Sequence, residues 1–75
     1  MLEHSFTVKQ ARQMRGLTQC QMATEMGVSR DVYRRIETYP DTATIAQGLK
    51  IAEITGIAFD SIIFVQNSTL SRKTG

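Results

Sequence analysis

The residues best equipped for chemistry in this 75-residue chain are basic, and they cluster. Lys9, Arg12, Arg15, Arg30, Arg34 and Arg35 all fall within residues 9–35, where only Glu25 and Asp31 oppose them. Over residues 36–64 the balance reverses, with Lys50 standing against Glu37, Asp41, Glu53 and Asp60. The net charge of +2 hides this asymmetry, which points the first half of the chain toward a polyanion. Little else reads as reactive. Cys20 is the single cysteine and His4 the single histidine, so neither an internal disulfide nor a Cys/His zinc set can be assembled. A redox role for Cys20 would need a thiol acidified by nearby cations and is not expected. No glycine-rich phosphate loop, nucleophile motif or carboxylate pair stands out, so neither an enzyme nor a bound cofactor is expected.

The elements that must position these residues follow from length and periodicity. Seventy-five residues form one domain at the small end of what folds unaided, burying about 60% of the unfolded surface. Hydrophobic residues at 41% and charged residues at 21% are ordinary globular usage, which excludes a disordered tail or a fibre. No apolar run is long enough to span a membrane, and residues 1–10 lack a signal-peptide layout, so a cytosolic protein is expected. Val8, Ala11 and Met14 recur at intervals of three and predict a first helix over 6–15, capped by Ser5 or Thr7 and ended by Gly16. Thr18-Gln19-Cys20-Gln21 reads as a capping box opening a second helix that Gly27 ends. Ser29 caps a third, which Pro40 stops, with Val28, Tyr33 and Ile36 on its buried stripe. Thr42 or Thr44 caps a fourth, whose Ile45, Leu49 and Ala52 are expected to face the core. A short fifth helix is expected over 58–63, packing Phe59, Ile62 and Ile63 inward, and residues 66–75 read as a polar, loose tail. Met14, Met22 and Met26 are expected to be core filler rather than a binding box.

The second and third helices, joined by a short turn containing glycine, carry the helix-turn-helix signature. Ala23 permits close approach where the two helices cross, and Gly27 makes the sharp turn. With these motifs on view, residues 9–64 resemble the Cro and CI repressor-type helix-turn-helix family (the XRE family). The matching positions are Arg12, Gly16-Leu17-Thr18-Gln19, Met22-Ala23, Gly27-Val28-Ser29-Arg30, Ile36-Glu37, Lys50-Ile51-Ala52 and Gly56. Tyr33-Arg34-Arg35-Ile36-Glu37 and the ending Phe59-Asp60-Ser61-Ile62-Ile63-Phe64 look most like small regulators of Gram-positive phages and prophages.

The resemblance implies an all-α fold, a compact five-helix bundle of the lambda-repressor-like DNA-binding type over 1–65, and a sequence-specific transcriptional regulator in the bacterial cytoplasm or nucleoid. Its partner would be a double-stranded DNA operator, with no small-molecule effector evident. Helix 29–38 would lie in the major groove, with Arg30, Asp31, Arg34 and Arg35 as base-reading residues. Arginine matches the O6 and N7 acceptors of guanine, while aspartate accepts from the cytosine amino group. Thr18, Gln19, Ser29 and Tyr39 are expected at phosphates, and Arg12 with Glu37 as a structural salt bridge. Where the family often has glycine and basic residues after the glutamate, Tyr39-Pro40-Asp41-Thr42 has no positive charge, leaving hydroxyls to meet the backbone. A homodimer through 57–65 is expected from the surplus of apolar side chains there. The alternatives are a protein-interaction module of the antitoxin or anti-repressor kind and a restriction-modification controller.

Overall fold

The computed structural model describes residues 5–64. His4, Val65 and the stretch 66–75 lie outside them. Four α-helices carry the fold: α1 (Val8–Arg15), α2 (Gln19–Met26), α3 (Arg30–Thr38) and α4 (Ile45–Thr55). Strand β1 (Phe6–Thr7) pairs in parallel with β2 (Ile62–Ile63), Phe6 opposite Ile62 and Thr7 opposite Ile63. One-turn 3-10 helices over Pro40–Thr42 and Phe59–Ser61 complete the elements among the described residues.

Helix starts follow one recipe. Thr7, Thr18 and Thr44 are N-caps, each hydroxyl accepting from the amide three residues on, while Gln10, Gln21 and Gln47 reach back to the cap N–H. Ser29 caps α3 through Val32 N–H at 3.1 Å. None of the three threonine-capped helices has an acidic residue in its first turn. Between α2 and α3, Gly27 takes φ +74°, a left-handed backbone that a Cβ would strain, and this folds the two helices into the motif.

The core consists of Val8, Met22, Ala23, Tyr33, Ile36, Ile51 and Ile62, with Leu17, Val28, Ile54, Ile57 and Phe64 among those packed around it. Ala11 and Arg12 are buried as well. Three expectations are corrected. The first helix starts at Val8 rather than residue 6, because Phe6 and Thr7 are drawn into the sheet. There is no fifth helix over 58–63: after the 3-10 turn the β-branched Ile62–Ile63 extend and pair with β1. Third, the buried faces of α1 and α4 shift. Met14 is 62% exposed, since strict threes fall about 60° behind the helical repeat at each step, and Arg12 takes its place inside. In α4 the buried residues are Gly48, Ile51 and Thr55, leaving Ile45 and Leu49 outside. Gly48 decides this. The Phe59 and Phe64 rings, stacked at 5.1 Å, press against it so closely that an added Cβ would stand 2.8 Å from Phe59.

Candidate nucleic-acid interface

The third helix segregates its residues sharply. Tyr33 and Ile36 are buried, while Arg30, Asp31, Arg34 and Arg35 are exposed. A cationic face is thereby presented along α3 from Arg30 to Arg35, anchored from behind. Asp31 lies 3.8 Å from Arg34 Nη1, an exposed i, i+3 pair of small energetic weight. Arg30 also borders α2: with Arg12, Thr18, Gln19 and Cys20 it lines an open cleft of about 400 Å³. The structure thus brings Thr18, Gln19 and Arg30 together. It sets Ser29, Asp31, Arg34 and Arg35 along α3 and leaves Tyr39 at that helix's far end, half-exposed.

Chemically the cleft suits an anion. The Thr18 hydroxyl takes the Gln21 amide, which leaves those of Gln19 and Cys20 without an intrahelical acceptor where the positive end of the α2 dipole opens. Thr18 and Ser29 use their hydroxyl oxygens as acceptors for helix amides, so each keeps an O–H to donate outward.

Behind this face lies a polar network that fixes three helices relative to one another. Arg12 of α1 donates through Nε to Glu37 Oε2 at 2.5 Å and through Nη1 to the Leu17 carbonyl at 2.7 Å. The Tyr33 hydroxyl donates to the same carboxylate oxygen, and Gln19 Nε2 donates to Glu37 Oε1 at 3.0 Å. The Arg12 and Glu37 side chains are 10% and 6% exposed, so the ion pair is shielded from solvent. Burial alone would push the Glu37 carboxyl up, but the hydrogen bonds from Arg12, Tyr33 and Gln19 outweigh it and hold it below the ordinary range. Burial, reinforced by the bond to Glu37, raises the Tyr33 phenol far above its usual value, which keeps it a donor.

Sequence reasoning paired Arg12 with Glu37 but missed that Tyr33 and Gln19 complete the carboxylate's shell. The Tyr33–Glu37 contact was available from their spacing of four on one helix. The Gln19 contact needed the tertiary approach of α2 to α3. Gln19 is therefore turned partly inward, its side-chain amide engaged with Glu37 at the start of α2.

Among the described residues no helix is long and apolar enough to cross a membrane. Comparison with curated proteins and with solved structures gives no match. The helix-turn-helix family model, however, matches residues 8–62, from the start of α1 into β2, and this covers most of the chain. The chain belongs to the helix-turn-helix family, of the XRE type, and is a DNA-binding protein of that family.

Proposed function

We propose that the protein is a sequence-specific transcriptional regulator, Cro-like or repressor-like, that reads an operator in the major groove with α3. It performs no catalysis and needs no cofactor, and it works in the bacterial cytoplasm or nucleoid as a regulator of phage or prophage type. Arg30, Asp31, Arg34 and Arg35 read base edges, while Thr18, Ser29, Tyr39 and the start of α2 at Gln19 hold the phosphate backbone. Arg12 and Glu37 do not touch DNA; they hold the reading helix in place.

The observation that carries this reading is the division of α3, with its aromatic and aliphatic residues sunk in the core and every one of its charged residues outside except Glu37. A helix that only stabilised the fold would have no need of three exposed arginines in six positions beside an anion-binding helix start. Selection of bound duplexes from a random pool tests it. Recovery of a defined motif, bound far more tightly than its scrambled counterpart, is the expected result. A pool that stays random after repeated rounds would refute operator reading and favour a protein-interaction module of the antitoxin or anti-repressor kind.

A further inference from the structure

A cleft of about 340 Å³ opens where the end of α1, the end of α2 and the side of α4 meet. Arg15, Leu17, Glu25, Lys50, Glu53 and Ile54 line it, none of them on α3. Leu17 and Ile54, half-buried and packed against the core, form its apolar part. Its volume falls at the lower end of the roughly 300–1,000 Å³ usual for small-molecule sites.

The charges around the cleft are balanced but only half paired. Arg15 and Lys50 stand against Glu25 and Glu53, a net charge of zero. Lys50 and Glu53 lie 3.7 Å apart and serve each other. Arg15 and Glu25, exposed and of opposite sign, border the same space, yet neither has an ion-pair partner among the described residues. Glu25 is also poorly placed for its own helix. It sits in the last turn of α2, which holds no basic residue, so its carboxylate meets the negative end of that helix dipole. A helix built for stability alone would carry a cation there, as α1 does with Arg15.

We propose that this cleft binds a small zwitterion of the amino-acid class, its carboxylate held by Arg15, its ammonium by Glu25 and an apolar side chain laid on Leu17 and Ile54. Three points select that chemistry. The lining is neutral as a whole, so a simple anion or cation loses at one wall what it gains at the other, whereas a molecule carrying both charges gains at both. The bound ammonium supplies the positive charge that the end of α2 lacks. A polypeptide terminus brings only one of the two groups, which makes a free amino acid, rather than a chain end, the occupant. Arg15, grouped by sequence with the residues facing a polyanion, serves this cleft instead. The site goes beyond the operator reading and does not rest on it: a chain that bound no operator would still take the ligand.

The test titrates the isotopically labelled full chain with L-leucine, following backbone amide shifts by NMR. L-leucine amide, N-acetyl-L-leucine and glycine are compared at equal ionic strength. The expected result is saturable binding of L-leucine in the millimolar range, as an open, hydrated cleft gives, with the largest shifts at Arg15, Leu17, Glu25 and Ile54. The amide lacks the carboxylate, the acetyl derivative the ammonium and glycine the side chain, and each should bind roughly tenfold more weakly or not at all. Glu25→Gln and Arg15→Gln should each weaken L-leucine by a similar factor. Without ligand, Glu25→Gln should melt higher than wild type, since it relieves the charge at the helix end, so its lost binding is not lost folding. Binding that survives both substitutions overturns the site. So does N-acetyl-L-leucine binding as tightly as L-leucine, which would make the cleft a simple anion site of Arg15 and Lys50. Absence of saturable shifts at these residues up to the solubility limit of L-leucine also overturns it, whatever operator selection returns.

Discussion

Replacing Glu37 by alanine removes the acceptor for three donors at once. Arg12 loses its ion pair, and its side chain, only 10% exposed, keeps the Leu17 carbonyl at 2.7 Å as its hydrogen-bond acceptor. Tyr33 retains a buried hydroxyl without an acceptor, and Gln19 swings free. Breaking a buried pair from one side costs about 3–5 kcal/mol, because the surviving charge stays desolvated. The retained bond to Leu17 and water entering the vacated space place this case near about 3 kcal/mol. For a domain of this size that corresponds to a fall in melting temperature of roughly 12–24 °C, a large share of a total stability of roughly 4–11 kcal/mol. Thermal and urea melts without DNA measure it for Glu37→Ala, Arg12→Ala and the paired change Arg12→Met with Glu37→Leu. The paired variant is expected to lose less than either single one, since no charge is left stranded. Unchanged melting in both single variants would show the pair to be screened by solvent and would refute the reasoning.

The same carboxylate governs acid stability. Its folded-state titration lies below the ordinary value of 4.5, so its contribution is complete above that pH and fades as pH falls through the lower folded value. Glu37→Gln should flatten the acid limb of a pH–stability curve, and an unchanged limb would assign acid unfolding to other carboxylates. Arg30→Ala should cost roughly 1–3 kcal/mol at one operator base pair and relax base preference there. Equal losses on operator and scrambled duplexes would move Arg30 from base reading to backbone contact. Gly48→Ala gains about 1 kcal/mol of helix propensity but drives a methyl to 2.8 Å from Phe59 and 3.2 Å from Phe64. Overpacking of about 1–3 kcal/mol outweighs that gain, so the melting temperature should fall, and a rise would show that the rings step aside freely.

Local signals were readable wherever a helix end is written in a few adjacent residues. Thr18 with Gln21, Gly27, Ser29 and Pro40 each act over one turn of backbone, and α2 and α3 begin and end within a residue or two of the positions these imply. The exposed arginines of α3 follow from the same periodicity, since Tyr33 and Ile36 claim the buried side. Long-range choices were not readable. α4 sets Ile45, Leu49 and Ala52 on one side and Gly48, Ile51 and Thr55 on another, and it is the tertiary packing of Ile51 into the core, with Phe59 and Phe64 against Gly48, that covers the second. Ile62–Ile63 could end a helix or pair as a strand, and the partner that decides lies 56 positions earlier at Phe6–Thr7. The inward turn of Gln19 depends likewise on a contact 18 residues away.

The three Thr-x-x-Gln caps have a consequence for how stability and binding trade against each other. Glutamate in place of the glutamine would add a charge where the helix dipole rewards it, worth about 0.3–1 kcal/mol per helix. At the start of α2 that carboxylate would also stand beside the cleft proposed to receive a phosphate, and two anions would then compete for one positive helix end. The amide side chain closes the same reciprocal pair of hydrogen bonds at 2.9 and 3.0 Å while remaining uncharged at every pH. The chain thus forgoes a small thermodynamic gain at each helix start and adds no carboxylate at the α2 terminus, where the proposed function places a phosphate. Gln21→Glu should accordingly give a protein that melts higher and binds every duplex more weakly, with the deficit shrinking as salt screens the two charges.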